Sequence, residues 1–220
     1  VIPYMRKERI DKIDVAFMTH YHTDHAGGIA ELIKAGRIKR VVIPAGIYKE
    51  DFEIATEAKK AGIPLHYVGN SDKIKIGDIY IEAYNTFDGI EENNGFVYFV
   101  SYGNSRICIS GDVHKNGEKA LLESGVNIKS DILKIPHHGS DTSGSEEFLK
   151  AVSPEYGIIL RGDNKYPNEE SARLYKNAGI KYFSTNDCGS IRITLSKSGK
   201  SKIRFGRNSF YELRNFKKTG

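Results

Sequence analysis

At 220 residues the chain is long enough to bury a substantial core within one domain. Its composition, 39% hydrophobic and 28% charged, is that of a soluble protein, and no apolar run is long enough to cross a bilayer. The two cysteines, Cys108 and Cys188, are too few for a disulfide framework or a thiolate zinc site. We therefore expect a soluble protein without a membrane segment, and we favour the cytoplasm over secretion, although composition leaves the compartment open.

The predicted elements of the first half begin with a short polar segment at 2–7 and an apolar run at 13–18. A polar loop at 19–28 follows, and Gly27 and Gly28 are expected to turn the backbone tightly into a helix over 29–34. The pattern then predicts a strand at 40–43, a helix at 53–61, a strand at 64–68, and two hairpins that turn at Gly77 and Gly103.

The second half mixes predicted helices and strands in the same way. Helices are predicted at 116–124, 145–152 and 169–177, strands at 132–135, 156–160 and 181–184, and a final hairpin at 190–205. Two halves that each combine strands with outer helices favour an α/β fold, a four-layer αββα sandwich. With no linker or close internal repeat in view, we predict one domain over 1–220.

The charge is concentrated at the C-terminal end. The hairpin and tail at 196–220 hold eight Lys and Arg residues against Glu212 alone, a net charge of +7, which leaves −2 for the rest of the chain. A basic segment of this kind is typical of proteins that bind nucleic acid. A solvated tail that keeps the protein soluble explains the charge equally well.

The loop at 19–28 carries the strongest chemical signal. Three of the seven histidines and one aspartate fall within six residues, at His20, His22, Asp24 and His25. Alternate imidazoles can chelate one divalent ion, while the adjacent aspartate and histidine face a second. A polar surface loop is the alternative, but the concentration of a scarce residue favours a metal site.

Two later loops follow predicted strands and could meet the first at one sheet edge. Asp112 comes after Gly111 at a strand end, and a carboxylate placed there can bridge two metals. His114 follows two residues later and is not expected to be a ligand. The adjacent His137 and His138 come after another strand and offer an imidazole from one concave turn.

These loops together resemble a known family. Residues 20–25 match the HxHxDH signature of the metallo-β-lactamase-fold hydrolases, and the Ser-Gly-Asp112 turn, the Pro-His-His-Gly-Ser140 loop and the ending at 182–193 are similar to the branch typified by ComEC-type competence proteins. The resemblance implies an αββα sandwich with one or two metals at one edge of its sheets. It also implies an activity that degrades one strand of incoming DNA.

The sequence departs from this family in three places. Members normally run through two or more strands before the first histidine loop, so we expect the N-terminal strands to have been removed or to come from another chain. Members usually carry a histidine where this chain has Tyr166. Many also have a ligand histidine between the first loop and Asp112, where this chain offers only His66, expected to be a core or surface residue, and Asn93 and Asn94 in the corresponding place.

The ligands divide into two predicted sets, which share one aspartate. Mixed nitrogen and oxygen ligands make zinc the expected metal and manganese the alternative, with one or two ions per chain. The first set is His20, His22 and Asp112, and the second is Asp24, His25, Asp112 and one of His137 and His138.

The predicted function is that of a metal-dependent hydrolase, a phosphodiesterase or nuclease that acts on single-stranded DNA or other nucleic acid through a metal-bound hydroxide. Polar loops with Lys134, Arg161 and Lys165 favour this over hydrolysis of a small ester, lactone or thioester, which stays open. A non-catalytic nucleic-acid-binding module is a further alternative. The predicted catalytic residues are Asp24, Asp112 and His138, and the predicted substrate-binding residues are Ser140, Asn164 and Lys165.

Overall fold

The computed structural model describes residues 1–46, 52–86, 95–161, 166–206 and 210–212. Its α-helices are Ile2–Lys7 (α1), Thr23–Lys34 (α2), Phe52–Ala61 (α3), Lys115–Glu123 (α4), Glu146–Val152 (α5), Glu169–Asn177 (α6) and Thr185–Cys188 (α7), with a 3₁₀ turn at Pro136–Gly139. Its strands are Ala16–Phe17 (β1), Val41–Pro44 (β2), Leu65–Val68 (β3), Asp72–Ile76 (β4), Ile79–Asn85 (β5), Phe96–Tyr102 (β6), Ser105–Ile109 (β7), Ile132–Lys134 (β8), Tyr156–Ile159 (β9), Lys181–Ser184 (β10), Ile191–Thr194 (β11), Lys202–Phe205 (β12) and Phe210–Glu212 (β13).

A mixed seven-stranded sheet forms the centre of the fold, in the order β10-β9-β8-β7-β6-β5-β4. Strands β4 to β7 are antiparallel and β7 to β10 are parallel. The two predicted hairpins are confirmed: β4 pairs with β5 and β6 pairs with β7. Gly77 and Gly103 turn them with φ of 59° and 58°, values that a residue with a Cβ adopts at a cost.

Two three-stranded sheets, β1-β2-β3 and β11-β12-β13, cover one face of the central sheet. Strand β7 shows this, because alternate residues of a strand point to opposite faces. Ile109 packs with the cluster under β2 and β3, and Ile107 packs with the cluster under β11 and β12. Cys108, between them, lies in the cluster on the other face.

Helices form the two outer layers. Helices α1 to α3 pack on the β1-β2-β3 sheet through a cluster that includes Met5, Ile29 and Ile54, and α4 to α6 pack on the central sheet through Phe148 and its neighbours. The order of layers is therefore helix, sheet, sheet, helix, which confirms the predicted α/β class and αββα sandwich. Within the described ranges, no helix is both long enough and apolar enough to cross a membrane.

The N-terminal region differs from the prediction in two elements. Residues 2–7, described from the sequence only as a short polar segment, form α1, with Pro3 in its first turn and only Met5 buried. Helix α2 begins at Thr23 and not at 29, so Gly27 and Gly28 lie inside it instead of at a turn before it. Ala26 and Ala30, four residues apart, are both buried with Ile29 and Ile33, and this packing stabilises the helix in spite of its glycines.

Several loops converge at one edge of the central sheet. Parallel strands end at the same edge, so the residues that follow β7, β8 and β9 lie side by side there. The histidine loop after β1 joins them, because Phe96, at the start of the antiparallel β6, donates a backbone hydrogen bond of 2.8 Å to the carbonyl of Thr19. This edge is where the chemistry-bearing residues lie.

Candidate metal centre

Four side chains meet at this edge: Asp24 and His25 from the first turn of α2, Asp112 from the segment after β7, and His138 from the turn after β8. Each offers one ligand atom, and these four atoms lie within 4.8 Å of one another. The Nε2 atoms of His25 and His138 lie 3.2 and 3.3 Å from Oδ2 of Asp112 and 3.4 and 3.2 Å from Oδ2 of Asp24. The arrangement resembles the donor set that a divalent ion requires, two carboxylates and two imidazoles.

Asp112 is the buried centre of this group, with its side chain 11% exposed. Burial alone would raise the pKa of its carboxyl, but hydrogen bonds with His138 and His25, and the ammonium of Lys134, outweigh burial and hold the pKa far below its usual range. Lys134 reaches it from the end of β8, with Nζ 3.0 Å from Oδ1. Asp112 is therefore ionised, and its Oδ2 faces the cluster.

Hydrogen bonds fix the ring of His138. Its Nδ1 lies 2.6 Å from the carbonyl oxygen of Leu160, which can only accept, so Nδ1 carries a proton and donates. The hydrogen bond with Asp112 raises the pKa of His138, so without a metal Nε2 also holds a proton, which it shares with the carboxylate. A metal ion would take the place of this proton, because the neutral ring turns a lone pair toward the oxygens of Asp24 and Asp112.

His20 supplies a second indication of a cation. Its ring is 4% exposed, and Nε2 is buried without a hydrogen-bond partner among the described residues, 3.9 Å from Asp112 Oδ2. Burial, together with the neighbouring His25, lowers the pKa of His20 to about 3, so the ring is neutral. A buried polar atom without a partner is costly, and a metal ion would provide that partner.

His22 and His137 lie beside the cluster but do not join it. His22 is exposed before the first turn of α2, with its ring centroid 4.8 Å from that of His20. His137 turns away, with Nδ1 2.9 Å from Thr142 Oγ1 and its ring stacked on His114. Of the two histidines that the sequence left open, the structure thus brings His138 to the cluster.

Of the three predicted substrate-binding residues, Ser140 lies within the described part of the chain. Ser140 is only 2% exposed and its hydroxyl lies 3.1 Å from that of Thr142, so it belongs to the internal network of its loop. Asn164 and Lys165 lie outside the described residues, as do Asn93 and Asn94. His66 is exposed in β3, as a surface residue.

Two basic residues expected near a substrate are engaged inside the protein. Lys134 is 6% exposed beneath Asp112, and it donates to the carbonyl of Gly111 at 2.6 Å. Arg161 donates to Ser184 Oγ at 2.8 Å and to the carbonyl of Tyr166. A lysine that ends the apolar strand Ile132–Lys134 was a sequence signal for a buried partner of a carboxylate, because lysine is rarely buried unpaired.

Glu118 is a buried residue that the sequence did not single out. It lies in α4 with 0% exposure and accepts hydrogen bonds from the backbone N–H groups of Gly144 and Ser145 and from the Ser145 hydroxyl. Ser143 donates in turn to the carbonyl of Val113 at 2.7 Å. These contacts join residues 143–145, which follow the turn at Pro136–Gly139, to the segment that follows Asp112.

A cavity of about 210 Å³ opens beside the cluster. Asp112 and four histidines belong to its lining. The lining consists of His20, His22, Thr86, Gly95, Phe96, Ser110, Asp112, Val113, His114 and His137.

Comparison with known proteins gives consistent results. Residues 3–163 match the metallo-β-lactamase superfamily. Over 96% of its length the chain is 30% identical to ComE operon protein 3 of Bacillus subtilis and 27% identical to Competence protein ComA of Neisseria gonorrhoeae, and it spans 27% and 29% of those proteins. It is also 32% identical, over 75% of its length, to a protein of Staphylothermus marinus described as a UPF0173 metal-dependent hydrolase, of which it covers 69%.

Proposed function

Because the chain belongs to the metallo-β-lactamase superfamily, we propose that this metal-dependent hydrolase is a phosphodiesterase that acts on nucleic acid, with single-stranded DNA as the first substrate to test. The observation that carries the proposal is the cluster of Asp24, His25, Asp112 and His138 at an open sheet edge. The substrate class is supported by the relatives: one is named for competence and a further one, 27% identical over 217 residues, is named Recombination protein 2. Both words describe processes that act on DNA.

The surface charge supports the same substrate class. Strands β11 and β12 place Arg192, Lys202 and Arg204 as exposed residues, and Arg192 is directly opposite Arg204 in the antiparallel pair. Arg192 also pairs with Glu8, and three cations placed together on this face attract a polyanion. The basic tail beyond residue 212 lies outside the described residues.

The metal would be held by Asp24, His25, Asp112 and His138, with zinc as the proposed ion and manganese as the alternative, and His20 and His22 beside them. When bound, such an ion supplies Lewis acidity and lowers the pKa of a coordinated water to about 7. Asp112 offers Oδ2 while Lys134 holds Oδ1. The carbonyl of Leu160 fixes the ring of His138.

Asp24 is the group placed to orient the attacking water. Its side chain is 60% exposed, against 11% for Asp112, so it faces the open side from which a substrate arrives. Because Oδ2 lies toward the two histidines of the cluster, Oδ1 is the oxygen that can accept a hydrogen bond from that water and receive its proton as attack proceeds.

A small ester, lactone or thioester is the second candidate substrate. The cavity beside Asp112, about 210 Å³, is smaller than the 300–1,000 Å³ of typical small-molecule sites. It holds a small acyl compound, or one phosphoryl group of a chain that continues along the surface. The cavity volume therefore fits a small reacting group, and it does not distinguish a small acyl compound from a phosphoryl group.

The deciding experiment is a time course of single-stranded DNA degradation by metal-stripped protein resupplied with zinc or manganese. We expect degradation that requires the metal and is lost in Asp112→Asn. The matched control is Asp14→Asn, an exposed aspartate paired with Lys39 at 2.6 Å, which should behave as wild type. Hydrolysis of lactones but not of DNA, by protein with one or more metals per chain, would refute the phosphodiesterase proposal in favour of the second candidate.

The salt dependence of binding tests separately whether the protein binds nucleic acid. Binding of single-stranded DNA should weaken steeply with salt, because contacts with phosphates release counterions. Replacing Arg192 and Lys202 together with Gln should reduce the slope of log K against log salt by roughly 1 to 2. The same change at Lys34 and Lys39, which are exposed near the other small sheet, β1-β2-β3, should leave the slope as it was.

A further inference from the structure

His114 and His137 form a stacked pair that the metal cluster does not use. Their ring centroids are 4.8 Å apart and the rings are inclined by 22°. His114 immediately precedes α4, and His137 belongs to the 3₁₀ turn after β8. Two loops that follow neighbouring strands thus bring two imidazoles face to face.

The stacked pair belongs to the lining of the cavity beside the cluster, together with His20, His22 and Asp112. In the part of the chain that the structure describes, the ligand atoms that gather within 4.8 Å are those of Asp24, His25, Asp112 and His138. The two rings therefore share a cavity with Asp112 without adding a ligand atom to the cluster.

The position of His137 is fixed at a conformational cost. Its backbone has φ 46° and ψ 48°, the left-handed region that is unfavourable for a residue with a Cβ, and such strain persists where the surroundings impose it, commonly at functional sites. Thr142 Oγ1 holds Nδ1 at 2.9 Å, and the carbonyl of Thr142 accepts from the backbone of Lys115, next to His114. Thr142 therefore fixes His137 relative to the start of α4, and the rings of His114 and His137 stay stacked.

We propose that His114 and His137 form a phosphoryl-binding subsite that holds the non-bridging oxygens of the phosphodiester in this cavity. The inference rests on the phosphodiesterase proposed above and names the residues that position its scissile group. Imidazole N–H groups donate to phosphate oxygens, and hydrogen bonds to a charged acceptor are the stronger ones. With Thr142 occupying Nδ1 of His137, its Nε2 is the atom left to serve the cavity.

The test uses full-length protein loaded with zinc and three variants, His114→Asn, His137→Asn and the control His66→Asn. Asn approximates Nδ1 of histidine, lacks Nε2 and tolerates the left-handed backbone of residue 137, so it keeps the contact with Thr142. His66 is exposed in β3, on another sheet. The measurements are the Kd of inorganic phosphate by calorimetry, bound zinc by elemental analysis, and KM and kcat for bis-(p-nitrophenyl) phosphate.

We expect each site variant to raise the phosphate Kd and the KM by about tenfold or more, the size of one lost hydrogen bond to a charged group, with the zinc content unchanged. His66→Asn should match wild type. Unchanged Kd and KM in both site variants would refute the subsite while leaving the phosphodiesterase intact. Loss of zinc in either variant would also refute it, since the pair would then be metal ligands.

The two proposals fail in distinguishable ways. If wild-type protein hydrolyses no phosphodiester, the proposed function fails, and the calorimetric Kd still tests the subsite. Binding of phosphate that weakens in both variants would then support the subsite on a different phosphorylated substrate. A phosphate Kd that neither substitution changes would refute the subsite.

Discussion

Nζ of Lys134 lies 3.0 Å from Oδ1 of Asp112, in a pair whose side chains are only 7% and 11% exposed. The same ammonium donates to the carbonyl of Gly111 at 2.6 Å, so it joins the end of β8 to the turn after β7. Its contact occupies one oxygen of Asp112 and leaves the other to His25 and His138. Lys134 thus fixes the carboxylate of Asp112 so that Oδ2 faces the metal cluster.

Replacing Lys134 with Met should destabilise the protein strongly. Removing one partner of a buried ion pair leaves the other charge uncompensated, which costs about 3–5 kcal/mol of unfolding free energy. Urea denaturation monitored by circular dichroism measures the change. Lys39→Met is the matched control, since Lys39 pairs with Asp14 at the surface and its loss should have little effect. Equal stability of the two variants would contradict the structural role given to Lys134.

The fold could be predicted from the sequence wherever periodicity and turn chemistry agreed. Helix Glu169–Asn177 and strand Lys181–Ser184 have the predicted bounds. The start of α2 could not be found, because glycine pairs usually mark turns, and only the burial of Ala26 and Ala30 against the core shows the helix. Helix α1 was missed for a different reason: its one buried residue, Met5, gives no periodic signal.

The site was predictable as a list of residue types but not as a geometry. The spacing around His20 to His25 and the strand-end Asp112 indicated a metal centre, and the structure gathers Asp24, His25, Asp112 and His138. The choice between His137 and His138 could not be made, since it depends on the left-handed backbone of both residues and on the carbonyl of Leu160. The burial of Lys134 also depends on contacts between strands that are distant in sequence.

Glu118 gives the protein a pH dependence of defined sign. Burial raises the pKa of its carboxyl, and the hydrogen bonds from Ser145 and Gly144 oppose this only in part. The folded state therefore holds the proton more tightly than the unfolded state. This contribution to stability is present below the unfolded pKa of about 4.3 and is lost as pH rises through the higher folded value.

The prediction is that wild type loses stability relative to Glu118→Gln as pH rises from 4 to 7, because Gln cannot ionise. Urea midpoints of both proteins across that range measure the difference. Glu123→Gln, on the same helix but exposed and 3.8 Å from Lys119, should follow wild type throughout. A difference between wild type and Glu118→Gln that stays constant with pH would show that Glu118 titrates normally.

The two cysteines should differ sharply in reactivity. Cys108 is fully buried in β7, and burial raises the pKa of its thiol far above the usual range, so the reactive thiolate is scarce. Cys188 is partly exposed at the end of α7. A thiol reagent at neutral pH should label one cysteine quickly, identified as Cys188 by peptide mass spectrometry, and the second only after denaturation. Rapid labelling of both would indicate that the central sheet opens readily.

Gly28 and Gly117 both lie in helices, but alanine should affect them in opposite ways. A Cβ at Gly28 meets nothing within 4 Å, whereas a Cβ at Gly117 would lie 2.7 Å from the carbonyl oxygen of Thr86 and 2.8 Å from Val113. Gly28→Ala should stabilise the protein by about 0.5–1 kcal/mol, since alanine restricts the unfolded chain and favours the helix. Gly117→Ala should destabilise it by about 1–3 kcal/mol, because α4 must shift away from the backbone of Thr86.

Denaturant unfolding of the two variants beside wild type measures both effects. The Gly28 variant also tests whether residue 28 lies inside a helix or in a turn before it. If the sequence-based expectation of a tight turn at Gly27 and Gly28 were right, alanine at 28 would force a left-handed backbone and lower the stability. A helix that starts at Thr23 predicts the reverse sign. Since Asp24 and His25 lie in that first turn, a stabilised Gly28→Ala would also mean that two donors of the metal cluster are carried by a helix and not by a mobile loop.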